Sequence, residues 1–526
     1  MLTAETQALP ETSGRVLPAA TPPKSGRFAV NLASNVGQLG LSIIVGAWYV
    51  PFLVRKLGPA AYGLIPLAST ITSYMALITL GLNSAVGRSL TIALEQGDQR
   101  RANLIFNTSL WVSLALTAML AVLAALGVVY VEALVRVPPG FVSQARWLFA
   151  AAGAAFLLNE IKTPFDVSSF CRNRFDLRNL VAIGEVLTRA GFVVLLFYAV
   201  APGVSYVGFA IFAGTMISSA GAVWLWKKLT PTLRVSVRDF DWGILRELTS
   251  TGGWVIINQI GAIFYLSIDL VVANRLFGAE QGGKYAAVLA LPLLIRTVGS
   301  TVGGVFGPTV LYYYARHDLD GLMAYLARAV KCLGLMLALP IALTCGFAEP
   351  LLRLWLGPGF SGLHLLLLLM AAHLCINLPI LPLLGLQLAT NRVKVPAVVT
   401  VVMGAMNLGL ALLLAGPMHW GLYGIAAAGA IMLTVKNVFF TPIYGAHVLG
   451  ESSRVFFREL AVIVAVTSVS FLLCRGLLWL QPIVGWSQLV TMSLAVSATY
   501  GLVVHQFILT AEERQMARKL VPFSRN

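Results

Sequence analysis

Apolar residues in this chain fall into long runs separated by short polar breaks. A helix needs about 20 mostly apolar residues to cross the hydrocarbon of a bilayer. Runs of that length lie near 28–52, 61–87, 102–129, 145–170, 179–200 and 203–226. After the polar stretch KKLTPTLRVSVRDFDWGILRE they resume near 249–273, 283–313, 325–348, 361–387, 393–415 and 420–446, and a last pair lies near 459–480 and 487–510. The pattern predicts an all-α polytopic membrane protein with about fourteen transmembrane helices.

The two halves of the pattern match at a nearly constant offset. RKLGPAAYGL follows the first span and NRLFGAEQGGKYAA the seventh, so Gly58 maps to Gly278; CRNRFDLRN and ATNRVKVPA map Arg172 to Arg392; and APGVSYVGFA and AGPMHWGLYGIA map Tyr206 to Tyr423. Six spans per half make the repeats parallel, related by an axis along the membrane normal. The expected organisation is a disordered tail (1–27), a six-helix bundle (28–226), a linker (227–248), a second six-helix bundle (249–447), an extra helix pair (448–510) and a tail (511–526).

Composition supports this class. Of the residues 58% are hydrophobic and 11% charged, mean hydropathy is +0.83, and the net charge is +16. Basic residues sit in short groups between the runs, which suits loops facing anionic lipid better than a nucleic-acid partner. With the N-terminus inside, 24 of the 37 Lys and Arg fall on the cytoplasmic side, eight fall outside and five within spans, and both ends are cytoplasmic. The first 27 residues lack the apolar core of a signal peptide and read as a cytoplasmic tail. Cys171, Cys332, Cys345, Cys375 and Cys474 are odd in number, dispersed and never in CxxC; with no HExxH among the six histidines, no disulfide framework, metal site or cofactor is expected.

The stretch YVPFLVRKLGPAAYGLIPLAST, the span ending LGLNSAVGRSL, the segment ATNRVKVPAVVTVVMGAMNLGL and the layout of two sixes plus two together resemble a known family. It comprises the Wzx-type lipid-linked oligosaccharide flippases, the polysaccharide-transport branch of the multidrug/oligosaccharidyl-lipid/polysaccharide exporter superfamily. The resemblance covers residues 28–510 and rests on Gly/Tyr loops and amides rather than on a catalytic signature. It implies two bundles around a cavity that opens alternately to each side of a bacterial inner membrane. The cargo it implies is an undecaprenyl-pyrophosphate-linked oligosaccharide, with polysaccharide polymerase and glycosyltransferases as partners.

Ionisable residues inside spans are costly and normally face a polar interior. Nine occur here: Glu160, Lys162, Asp166, Glu185, Arg189, Asp269, Arg296, Lys331 and Lys436; Arg88 adds a tenth at the inner end of the second span. An anionic pyrophosphate needs cations in the cavity, and arginine donates to phosphate in pairs. Arg88, Lys162, Arg189, Arg296, Lys331 and Lys436 are the candidate ligands. Asn35, Gln38, Asn258 and Gln259 are candidate cavity amides, matched between the first and seventh spans. Glu160, Asp166, Glu185 and Asp269 are candidates for coupling to H+ or Na+. A structural reading stands beside each: Glu185/Arg189 and Lys162/Asp166 lie one turn apart and could neutralise each other, and Lys331 could snorkel to water.

Two motifs fall short. GAEQGGKY fits GxxxxGK but ends in Tyr where Ser or Thr must hold magnesium. Asp239 and Asp241 resemble a transferase acidic pair, in a linker too short for a catalytic domain. Other readings carried forward are an organic-cation extruder of the same superfamily, a lipid II flippase, and a membrane polymerase or ligase. The last is opposed by the absence of a long outside loop. The chain is therefore expected to be a transporter rather than an enzyme.

Overall fold

The computed structural model describes residues 25–250, 253–390, 392–511 and 513–515, and among these it is helical with no strand. The tails expected at 1–27 and 511–526 fall almost wholly outside the described residues. Among the described residues, twelve segments are long and apolar enough to cross a membrane. One of them, Ile256–Ala315, turns back at Gly278, whose φ of 85° and ψ of 176° leave the helical region, so it crosses twice. Val142–Cys171 has 30 residues, ample for a crossing, but carries Glu160, Lys162 and Asp166 in place of a purely apolar run. With these two segments counted, the described helices are consistent with the roughly fourteen passes that the pattern predicts.

The first half comprises α1 (Ser25–Leu57), a second span broken at Ala76 into α2 (Leu64–Met75) and α3 (Leu77–Glu95), then α4 (Gln99–Val129), α5 (Val142–Cys171), α6 (Phe175–Ala199) and α7 (Val204–Leu229). Helix α5 packs along α7 and α4, and α6 bridges α7 and α1. A linker helix, α8 (Trp242–Ser250), leads to α9 (Gly253–Leu266), α10 (Ile268–Gly304), α11 (Gly307–Ala315), α12 (Leu319–Gly346) and the short α13 (Ala348–Trp355). The tenth span is broken into α14 (His364–Ala371), α15 (Leu374–Asn377) and α16 (Leu381–Ala389); α17 (Lys394–Ala415) and α18 (Gly421–Val435) follow. A π turn, Lys436–Phe440, joins α18 to α19 (Thr441–Leu449). The last pair is α20 (Arg454–Leu480), which packs along α12, and α21 (Trp486–Val503).

The linker is fixed to the first half. Asn103 and Asn107 stand one turn apart on α4 and act as the edge of a sheet for the extended segment after α7. Their amides donate to the carbonyls of Thr232 and Arg234 and accept from the N–H groups of Arg234 and Ser236 at 2.7 to 3.2 Å. Trp111, a further turn along, donates to the Ser236 carbonyl. Asp241 accepts from the Ile244 N–H at 2.9 Å and so caps α8. The acidic pair noted in the sequence is thus half engaged in holding a helix end.

The face remote from the two chain ends is termed distal here, and the face near them proximal. At the distal face the halves are clamped together. Gly63 and Gly283, which the 220-residue offset pairs, meet backbone to backbone: a methyl on Gly63 would come within 2.7 Å of the Gly283 Cα, and one on Gly283 would collide with the Pro59 carbonyl. Gly58 and Gly278, paired by the same offset, share a conformation open to glycine alone at little cost, with φ of 77° and 85°. Arg55 donates to the carbonyls of Leu354 and Trp355, the Trp355 indole donates to Ala47, and the Asn274 amide exchanges two hydrogen bonds with the Arg136 backbone. Further down, α1 and α10 touch where Gly46 faces Leu294. Nearer the proximal face, Gly37 and Gly40 on one side and Gly304 and Gly307 on the other have open space around them.

A central cavity as the candidate functional site

Directly beneath the distal clamp lies a cavity of about 310 Å³, within the usual range for ligand sites. Tyr49 and Leu53 of α1, Ser69, Thr70 and Ser73 of α2, Arg189 of α6, and Leu270, Leu289 and Leu293 of α10 contribute to its wall, with Tyr62 at the distal end. The break between α9 and α10 brings Ser267 to the same wall, and the Tyr74 hydroxyl donates to the Ser267 carbonyl at 3.2 Å. Hydroxyls thus face an apolar flank across the opening, and among the described residues Arg189 is the one charged residue in the wall. Its guanidinium lies 5.5 Å from the centre of the Tyr49 ring, a cation–π contact that fixes its direction.

The structure separates the six candidate cations. Arg189 lines the cavity, and among the described residues it forms no ion pair with Glu185, so the neutralising pair considered from spacing does not close. Arg88 is exposed on α3, towards the proximal end. Lys162 does pair with Asp166, at 3.4 Å, and donates to Ser218 at 2.7 Å, within the first half. Lys331 is held by Glu513 at 2.8 Å, so its ammonium meets a carboxylate just beyond α21 rather than water. Lys436 is buried in the π turn.

Arg296 belongs to a polar cluster inside the second half, close enough to act electrostatically on Asp269, Tyr285 and His373. In that cluster the Asp269 carboxylate accepts from the Asn407 amide at 3.3 Å, with Tyr285 as a further neighbour. Asn377 contacts His373 and Thr434, and accepts from Asn437 at 2.9 Å. The network spans the broken tenth span and the π turn, where irregular backbone is tolerated because polar side chains occupy the space it leaves. Of the remaining candidates, Glu160 is buried in α5, and Glu185 lies close enough to Asp166 to act on it electrostatically. Asn35 accepts from Asn179 at 2.6 Å and Gln38 donates to Ser42, while Asn258 and Gln259 are half-buried on α9.

Tyr49, Ser69, Thr70, Ser73 and His373 are not singled out by charge alone. The segment ASTITSY carried a usable signal: hydroxyls at 69, 70 and 73 share one helical face in an otherwise apolar span.

A family profile described as polysaccharide biosynthesis protein matches residues 29–310. The chain is 34% identical over 493 residues to the uncharacterized membrane protein EpsK of Bacillus subtilis (strain 168), covering 94% of this chain and 98% of that protein. It is 20% identical to a putative O-antigen transporter of Shigella flexneri, over 70% of this chain and 86% of the relative. Among solved structures, an inward-facing multidrug resistance MATE family transporter of the MOP superfamily aligns with a TM-score of 0.57 at 16% identity, covering 84% of this chain and 99% of that one. A MATE transporter in complex with MaD5 aligns at 0.55, with 16% identity and coverages of 81% and 95%. The architecture described above is therefore a MATE-like fold.

Proposed function

The chain belongs to the polysaccharide biosynthesis protein family, and from that premise we propose that it is a flippase for a lipid-linked oligosaccharide, working by alternating access. The cargo is an undecaprenyl-pyrophosphate-linked repeat unit of an O-antigen or exopolysaccharide, taken from the cytoplasmic to the outer leaflet of a bacterial inner membrane. The observation that carries this reading is the cavity wall, with one oriented guanidinium among hydroxyls opposite an apolar flank. Hydroxyls suit hydrated sugars, the guanidinium suits phosphate oxygens, and the apolar flank suits the polyprenyl chain. With the N-terminus cytoplasmic, the proximal face is the cytoplasmic one.

In this scheme Arg189 is the principal phosphate ligand and Arg88 meets the headgroup on entry. Lys162 and Lys331, each engaged by a carboxylate, brace the helices. Arg296 and Lys436 set the field inside the second half, where Asp269 with Tyr285 and Asn407 offers a carboxylate for a coupling proton or sodium ion. Polymerase and glycosyltransferases would act on either side of the step.

A gene deletion tests the substrate class. The expected result is accumulation of an undecaprenyl-linked oligosaccharide on the cytoplasmic leaflet, with unchanged tolerance of organic cations. Drug hypersensitivity without lipid accumulation would favour extrusion instead, a reading that the cation in the wall already disfavours, and accumulating lipid II would identify the sister substrate.

A further inference from the structure

A second site lies on the distal face, where the last helix pair joins the second half. Helix α13, the end of α20 and the loop after it enclose a cavity of about 280 Å³, whose wall includes Glu349, Arg353, Arg475, Trp479 and Pro482. Arg353 donates to the Ile483 carbonyl and pins the loop against α13. The Gln488 side chain accepts from the Val484 and Gly485 N–H groups, which fixes the other end of the loop. The cavity is thus walled by held backbone.

Its charged side chains are not paired with one another. Glu349 and Arg353 stand one turn apart on α13, where an ion pair ordinarily closes. Among the described residues, however, Glu349, Arg353 and Arg475 form no ion pair, and Arg475 and Glu349 have no hydrogen-bond partner. The neighbouring surface is strongly apolar: Trp479 is 86% exposed, Leu480 72% and Val484 74%. Tryptophan among exposed aliphatic side chains at a span end marks the headgroup level of a bilayer.

The geometry points to a phospholipid headgroup site at this junction, with Arg475 and Arg353 receiving the phosphodiester and Glu349 receiving a primary amine, as in phosphoethanolamine. Two guanidiniums against one carboxylate leave a net positive charge for the phosphate, and the exposed apolar rim lies where the acyl chains would run. The bound lipid would fill the seam between the last helix pair and the bundle.

The test uses the purified full-length protein with equimolar phosphatidylethanolamine and phosphatidylglycerol, read by native mass spectrometry. Wild type is expected to retain phosphatidylethanolamine in preference to phosphatidylglycerol. Arg475→Ala should lose retention of both lipids by about tenfold, the scale of one charged hydrogen bond, and Arg475→Lys should recover part of it. Glu349→Gln should retain lipid but lose the preference for the amine headgroup. Phosphatidylethanolamine should also raise the melting temperature of wild type and not of Arg475→Ala, a readout independent of lipid retention during purification. Undiminished retention in Arg475→Ala, or release of the lipid by equimolar glycerophosphoethanolamine, would overturn the assignment.

Discussion

A cation in the membrane interior is informative only once its partners are known. Ten ionisable positions look alike in the sequence, yet Lys162 closes on Asp166, Lys331 closes on Glu513, and Arg189 turns towards Tyr49 and open space. Spacing along one helix identified the Lys162/Asp166 pair, because both residues share a face. It could not identify the Lys331 partner, which lies 182 residues away, nor the absence of a pair between Glu185 and Arg189. Asp269 shows the same limit: alone in its run, it acquires Tyr285, Asn407 and Arg296 as neighbours only through folding. If its carboxylate carries the coupling ion, Asp269→Asn leaves the amide contacts in place and removes only the charge. Transport in reconstituted vesicles should then lose its dependence on an imposed ion gradient and slow by about tenfold or more, the scale of one lost charged interaction. A wild-type rate and gradient dependence would dismiss the role.

At the level of elements, hydropathy revealed nearly every span because the bilayer imposes its length on each helix. It could not show where helices break, since the breaks at Ala76, Ser267 and 372–373 answer to tertiary partners. The extra pair is tied to the second half by α12 and α20, and by the contact of Lys331 with Glu513 just past the last helix. Burial would push the Glu513 carboxyl up, but the Lys331 ammonium and the Thr510 N–H outweigh it and hold the group below its ordinary range. A depressed folded pKa stabilises the docked state above the unfolded value, near 4.3, and that contribution is lost as pH falls through the folded one. Hydrogen exchange in the segment after α21 should therefore stay slow at neutral pH and quicken below about pH 4 once corrected for intrinsic rates. Glu513→Gln should be fast at both. Equal protection in wild type and variant at neutral pH would show that the ion pair does not hold this end.

For the whole molecule, the Gly63–Gly283 contact is the point on which the halves close. Their separation of 220 residues is the one that relates Gly58 to Gly278, but a shared offset says nothing about contact; only the fold brings the two glycines face to face. Gly283→Ala places a methyl against the Pro59 carbonyl, so the distal clamp cannot seat. Spin labels at Pro139 and Gly359, exposed on opposite halves of that face, should report a longer and broader separation in the variant than in an otherwise unchanged protein. An unaltered distance distribution would mean that the clamp tolerates the methyl by local adjustment.

The central claim is that the cavity beneath this clamp receives a phosphate-bearing headgroup through Arg189. Its most direct measurement is the rate at which a fluorescent undecaprenyl-pyrophosphate oligosaccharide changes leaflet in vesicles holding wild type, Arg189→Ala or Arg189→Lys. Loss of about tenfold or more in Arg189→Ala, with partial recovery in Arg189→Lys, is the result this account requires. Equal rates for all three proteins would contradict it.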